Sequence, residues 1–385
     1  MSAVQIQGNA SGTGTLTIAA PNTNTNQTLT LPDQTGTLIA GTSGVAGEAN
    51  GGTGTTTGYY GFKNRIINGW MAINQRVSSL STNNTWNYFI DRMWGFSGSG
   101  TAATFSQISS TGVAGLPYGA RAQRTAANTG TSAIYTGQIV ESNNLQDLQG
   151  QAVSISFWAR AGANYSSASN ALSVFLRTGT TADQGLTALI TGWAGAADQT
   201  TTVTLTTSFQ KFTVTTFTVG ATAQELSVFF GYTPVGTAGA NDYVDITGVQ
   251  LEKGSTATSF DYRPYGTELS LCQRYYSILL TYSTDYNIPV TRSSATDCQI
   301  YLYAPVTMRT TPTLGIPSGY GRMICYDTSF SLSIGTVSAM STIYTADNRF
   351  INIFMTTTSV SGTASVFASY DTFGTTTNMT VSAEL

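Results

Sequence analysis

Residues Val249–Tyr276 read VQLEKGSTATSFDYRPYGTELSLCQRYY, and the division of the chain turns on this stretch. Val249 and Leu251 alternate with Gln250 and Glu252, the period of two of a half-buried strand. Lys253-Gly254-Ser255 breaks the strand, and Arg263-Pro264-Tyr265-Gly266 sets a stiff turn. A single short helix is expected next. Thr267 is placed to cap it, Glu268 suits its positive N-terminal end, and Leu271, Tyr275, Ile278 and Leu279 share one helical face. A strand, a linker and an isolated helix mark a junction between two bodies, 59–265 and 266–385.

Upstream of the junction, strands follow one another with no convincing helical run. Val153-Ser154-Ile155-Ser156-Phe157 alternates cleanly, as do Leu172-Ser173-Val174 and Leu226-Ser227-Val228. Phe212, Val214, Phe217 and Val219 alternate with a phase change in the middle, which predicts a bulge. Turn residues recur between these runs, the pattern of an all-β sandwich or jelly roll. Downstream, Tyr301-Leu302-Tyr303, Phe330-Ser331-Leu332-Ser333-Ile334, Phe350-Ile351-Asn352-Ile353-Phe354 and Val366-Phe367 supply the apolar and aromatic positions of a second β-sandwich. Residues 1–58 form a separate segment, with Asp33 and Glu48 as its only charges. Leu16/Ile18 and Leu29/Leu31 sit in alternating Thr-Leu-Thr contexts around the loop Pro21-Asn22-Thr23-Asn24-Thr25-Asn26, and Gly51–Gly58 is a Gly/Thr linker. Such a segment cannot bury a core alone. It is either a flexible tail or a set of strands completed by other copies, and the regular alternation favours assembly.

The chain has 385 residues, enough for two or three domains. Charged residues make up 9 %, well below the ~25 % of an ordinary soluble protein. The apolar share, 41 %, is too high for general disorder. With a net charge of −3 and no Lys/Arg run, nothing favours nucleic acid electrostatically. Cys272, Cys298 and Cys325 have neither disulfide-framework nor metal-ligand spacing and read as small buried apolar residues. The start, MSAVQIQGNASG, lacks the basic-then-apolar order of a signal peptide, and no apolar stretch approaches the ~20 residues of a membrane span.

There is no histidine in the chain. Ser-His and Cys-His nucleophile activation, histidine acid/base catalysis and histidine metal sites are therefore absent. No phosphate-cradling P-loop motif occurs either. Two carboxylates can still cleave a glycosidic bond, and Asp242 and Asp245, with Glu252 nearby, are the closest set. Positions three apart on a strand face opposite ways, so this pair does not converge. No enzyme is expected. Sugar binding is a better match for the remaining chemistry, because Tyr and Trp stack on C–H faces while Asn and Arg pair with hydroxyls. About half of the 20 tyrosines lie beyond Gly266. Tyr282, Tyr286, Arg292, Tyr320, Tyr326, Tyr344, Asn348 and Arg349 fall in or beside expected loops there. The other reading of any one of these tyrosines is packing in a core or a subunit interface. Trp86, Trp94 and Trp158 read as core or sandwich anchors, whereas Trp193, flanked by Gly192 and Gly195, is expected to be exposed on a loop.

The junction stretch resembles a segment common in bacteriophage tail fibres, in which a QLE strand, a GS-AT-F linker, RPYG and a LCQRYY helix join a β-sandwich to a distal tip. GTGTLTIAAPNTNTNQTLTLPDQTGTL, Tyr88–Trp94, Met308–Leu314 and the final Ser382-Ala383-Glu384-Leu385 are similar to segments of the same family. Within 59–265, Asn64–Gly69, Ser154–Ala161, Phe209–Val214 and Tyr243–Glu252 resemble carbohydrate-binding jelly rolls of the galactose-binding type. The resemblance implies a homotrimeric virion protein, anchored to tail or baseplate proteins through 1–58 and adhering to host surface polysaccharide through 266–385. It implies no cofactor beyond a candidate structural calcium at Asp245 and Glu252, although Asn68-Gly69-Trp70-Met71-Ala72 stands where further acidic ligands are expected. A polysaccharide depolymerase and a purely structural baseplate adaptor are the alternatives.

Overall fold

A computed structural model describes residues 62–76, 79–189, 192–280, 287–289, 291–292, 294, 296–315, 322–326, 332–344, 348–357, 367–371 and 378–385. The chain divides into Met1–Thr56 and Thr57–Leu385. Expectations for 1–58 lie outside the described residues, as do Tyr282, Tyr286 and Tyr320.

Twelve strands precede the junction helix: β1 (Ser79–Thr82), β2 (Trp86–Ile90), β3 (Met93–Ser97), β4 (Ala103–Ser109), β5 (Tyr118–Arg124) and β6 (Ile134–Val140), then β7 (Ala152–Ala161), β8 (Ala171–Gly179), β9 (Ala197–Thr204), β10 (Gln210–Thr218), β11 (Glu225–Tyr232) and β12 (Tyr243–Lys253). They form two six-stranded antiparallel sheets, β1-β4-β5-β12-β7-β10 and β2-β3-β6-β11-β8-β9. This is the expected jelly-roll sandwich. Its core is made by alternation: Val153, Ile155 and Phe157 face Leu226, Val228 and Phe230, all buried. Phe157 lies 4.7 Å from Phe230 and 5.5 Å from Phe212, ring centroid to centroid. Burying each such side chain fully contributes about 1.5–3 kcal/mol.

Two bulges adjust the phase in the first sheet. The expected one falls between Val214 and Phe217 in β10. A second shifts the β12–β7 register between Thr247 and Gln250, where Gly248 adopts φ +60°. It places Val244 and Ile246 in the core before the bulge and Val249 and Leu251 in the core after it. Asn64 ties the start of the domain to this strand, donating through Nδ2 to the Val249 carbonyl (3.0 Å) and accepting from the Leu251 amide (3.0 Å).

Helix α1 spans Tyr265–Gln273. It starts two residues before the expected Thr267 cap, following Pro264, whose carbonyl accepts from the Glu268 amide (3.0 Å). Its face is also shorter than expected, since Ile278 and Leu279 belong to the strand after it. The buried Tyr275 phenol donates to Glu141 (2.6 Å) and the Tyr275 carbonyl accepts from Ala383 N (2.7 Å), which turns the chain out of the helix. Glu268 does more than face the helix dipole: it is buried, accepts from Asn68 N and pairs with Arg263 (3.1 Å).

The remaining strands are β13 (Tyr276–Leu280), β14 (Asn287–Pro289), β15 (Thr291–Arg292), β16 (Asp297–Tyr303), β17 (Thr313–Gly315), β18 (Arg322–Tyr326), β19 (Leu332–Tyr344), β20 (Phe350–Thr357), β21 (Phe367–Asp371) and β22 (Met379–Ser382). They pair as β13-β22-β17 and β14-β21-β18-β19-β20-β16-β15. Cys298, Ile300, Met308, Ile351, Ile353, Met355, Met379 and Val381 form the core of this small C-terminal sandwich. Cys272 and Cys298 are buried, as expected; the Cys325 side chain is not among those described. The end of the chain returns to the jelly roll. Glu384 pairs with Arg76 and Arg92, Arg309 reaches Asp183 (3.0 Å), and Leu385 packs beside Trp94. Among the described residues, no helix is long and apolar enough to cross a membrane.

Candidate functional site

Alternation along β16 sends Ile300 into the core and Gln299, Tyr301 and Tyr303 to the other face. The β16–β20 register sets Tyr303 opposite Phe350, Tyr301 opposite Asn352 and Gln299 opposite Phe354. The result is an open aromatic platform. Tyr301 is 44 % exposed and Tyr303 65 %. The half-buried Phe350 ring lies 5.9 Å from Tyr301 at 12° and 5.2 Å from Tyr303 at 54°. Two amides extend the row. Gln299 Oε1 accepts from Tyr301 Oη (2.8 Å) and Asn352 Nδ2 (3.2 Å). Asn352 Oδ1 is buried without a donor among the described residues. Flat rings beside amide donors and acceptors match the two faces of a sugar.

The outer face of the second jelly-roll sheet is also aromatic, but partly covered. Trp86 stacks on Phe96 (4.0 Å, 18°), and Phe96 continues to Tyr135 (6.4 Å, 17°). Trp94 and Phe229 lie beside this row under Leu186, Leu189, Trp193 and Leu385. Arg177 pins the covering loop, binding Asp198 through Nε (2.6 Å) and donating to the Leu189 carbonyl.

The structure corrects the exposure expected of Trp193. The residue is 4 % exposed, and its indole N–H donates to the Gly185 carbonyl (3.2 Å). Gly195, at φ +60°, turns the loop back so that the indole lies on the sheet instead of in solvent. Of the two readings of Trp158, the core one fails: it is half-buried on the outer face of the first sheet of the sandwich.

Other expected site residues are placed only in part. Arg292, Tyr326 and Tyr344 lie on β15, β18 and β19, with side chains outside those described. Asn348 (φ 56°) and Arg349 form the turn into β20; Asn348 Oδ1 accepts from Thr311 (3.3 Å), and the exposed Arg349 donates from Nε to Ala304 O (3.2 Å). They stand next to Phe350, so these two do adjoin the platform. Tyr301, Tyr303 and Phe350 were not among the expected site residues. The signal was present in the alternation Gln299-Ile300-Tyr301-Leu302-Tyr303, which separates the tyrosines from the apolar phase.

Asp245 and Glu252 do not come together around a cation. Asp245 is buried and receives Arg121 Nε (2.7 Å) and Nη2 (2.9 Å) and Arg160 Nε (2.8 Å). Glu252 accepts from Thr258 N (2.7 Å), Thr258 Oγ1 (2.7 Å) and Gln250 Nε2 (3.0 Å). Both carboxylates are thus satisfied by protein donors, so the residues present do not fit calcium. Asp242 binds Ser166 N (3.0 Å), Ser166 Oγ (2.6 Å) and Arg124 (3.4 Å), away from Asp245, as its spacing implied. No group of three metal-ligating side chains occurs among the described residues.

No protein-family model matches the chain, and no curated protein does. Among solved structures, it is similar to the enzymatically active domain of tailspike protein 4 of bacteriophage CBA120, at 11 % identity over 50 % of this chain and 21 % of that one, with a TM-score of 0.31. It is similar to TmCBM61 in complex with β-1,4-galactotriose, at 10 % identity over 50 % of this chain and 99 % of that one, with a TM-score of 0.29. A third is the CBM22-1–CBM22-2 tandem domain of Paenibacillus barcinonensis Xyn10C, at 10 % identity over 86 % of this chain and 100 % of that one, with a TM-score of 0.28.

Proposed function

We propose that this chain is a bacteriophage tail-fibre protein that adheres, without cleaving it, to host cell-surface glycan. The observation that carries the adhesion is the Tyr301–Tyr303–Phe350 platform with its Gln299 and Asn352 amides. Two large aromatic side chains left open on a strand, where the outward Trp94 and Phe229 of the second jelly-roll sheet are buried, support a surface kept for a ligand. The tail-fibre assignment is supported by the VQLEKGSTATSFDYRPYGTELSLCQRYY junction and by the other segments quoted above. In this reading residues 1–58 hold the protein to the tail, and three copies present three platforms. Each contact is weak; joint engagement raises the effective concentration and so the avidity.

The test is binding of a fluorescent fusion of the full chain to bacterial cells, with purified lipopolysaccharides and capsular polysaccharides as competitors. Competable binding that falls about tenfold in Tyr303→Ala is the expected result. A folded, assembled protein that binds none of them is a structural adaptor instead. Shortened glycan products in the same incubation identify a depolymerase.

A further inference from the structure

The outer face of the first jelly-roll sheet carries a cluster that the platform does not explain. Parity along β7 turns Phe157, Ala159 and Ala161 into the core and Trp158 and Arg160 outward. Asp245 of β12 lies between Arg160 of β7 and Arg121 of β5 in the sheet register. It is fully buried beneath them and holds both guanidinium groups. Each guanidinium is also laid on a ring: Arg121 is 3.6 Å from the centre of Tyr243 and Arg160 is 4.7 Å from that of Phe209. Neither side chain is free to search for a conformation, yet both reach solvent, at 23 % and 28 % exposure.

Arg160 uses only Nε on Asp245, so its Nη1 and Nη2 donate to no acceptor among the described residues. One carboxylate faces two arginines, and the exposed Lys211 stands directly across from Trp158. The patch is therefore positive in a chain whose net charge is −3. The half-buried Trp158 ring, on the same side of β7, completes it.

Resting on the glycan-adhesion reading above, we infer that this face is a second glycan site and that it takes acidic sugars bearing a carboxylate. A planar carboxylate accepts two parallel N–H bonds from a guanidinium fork, a geometry that lysine cannot reproduce. The ring of a uronic or sialic acid gives Trp158 a C–H face to cover. Inorganic phosphate shares the charge but offers no such face, so the two sources of an anion separate experimentally.

The experiment is affinity electrophoresis of the full chain through gels containing polygalacturonate, alginate or polysialic acid. Fully methyl-esterified polygalacturonate provides the same backbone without its charge. Retardation by an acidic polymer, not by the ester, and weakening with added salt, is expected. It falls about tenfold in Arg160→Gln, the loss of one charge-assisted contact, and about as much in Trp158→Ala, the loss of the ring under the sugar's C–H face. Arg160→Lys keeps the charge and recovers only part. Arg121 retains its two bonds to Asp245 in these variants, so the carboxylate stays paired and the fold is kept.

Absence of retardation on every acidic polymer overturns the inference. So does retardation that survives Arg160→Gln but is lost in Tyr303→Ala, which moves acid binding to the platform and leaves the adhesion reading standing. Competition by inorganic phosphate together with indifference to Trp158→Ala overturns the sugar and assigns the patch to phosphate. Loss of acidic binding in Arg160→Gln with no effect of Tyr303→Ala on any glycan keeps this site and removes the platform.

Discussion

Trp94 and Phe229 turn away from the jelly-roll core on the outer side of the second sheet, just as Tyr301 and Tyr303 turn away from the core of the C-terminal sandwich. Strand parity treats the two sets alike. The first set is roofed by the loop carrying Leu186, Leu189 and Trp193 and by Leu385, and Trp94 is fully buried. The second set has no roof among the described residues, and Tyr303 stays 65 % exposed. The difference teaches that a sheet's outer aromatics are structural or available according to what the rest of the chain lays over them. Removing water from Trp94 contributes to folding; leaving Tyr303 in water contributes only when something else covers it.

The roof is the place to break this comparison. Glu384 ties the chain end to Arg76 and Arg92, the latter fully buried. Glu384→Ala leaves that arginine unpaired and is expected to cost about 3–5 kcal/mol in denaturant unfolding. Trp94→Ala opens a cavity below the roof and is expected to cost a similar ~3–5 kcal/mol. A loss under ~1 kcal/mol in both would show that the cover is loose and that the two aromatic faces differ little.

A smaller effect sharpens the same point at the loop's edge. Glu225 is buried, accepts from Gln184 N (2.8 Å) through Oε2, and its Oε1 has no donor among the described residues. Burial, then the neighbouring Asp183 carboxylate, pushes its acid from 4.5 up to about 8. Between those values the folded chain holds a proton that the unfolded chain has released, so stability falls as pH rises through the window and levels off above about 8. Glu225→Gln removes the dependence. Its melting temperature is expected to exceed that of the parent by a few degrees near pH 9 and to match it near pH 5, at roughly 2–4 °C per kcal/mol. Parallel pH profiles for the two proteins would refute this account of the carboxyl. The smallest stability effect belongs to the open platform: Tyr303→Ala is expected to change unfolding by less than ~0.5 kcal/mol while weakening glycan binding.

Much of the sandwich was legible because period two is a local property. The serines of Val153–Phe157, Leu172–Val174 and Leu226–Val228 marked the strands, and the phase change from Val214 to Phe217 marked a bulge that is present. The end of the helix was not legible. Tyr275, Ile278 and Leu279 satisfy helical spacing, and only the partners Glu141 and Ala383, far away in sequence, make the chain leave the helix. The same limit hid the site. Glycines around Trp193 marked a turn but not the direction in which it folds. Tyr301 and Tyr303 showed their phase, but their pairing with Phe350 and Asn352 depends on a register between residues about fifty positions apart.

The bulge at Gly248 makes β12 a strand with two parities, odd positions outward on one side of it and even positions outward on the other. An alignment that carries a relative's closing strand past this point without a gap assigns every later residue to the wrong surface. It would export Leu251 to solvent and import Glu252, and any surface map of relatives drawn from such an alignment would be inverted along that half of the strand.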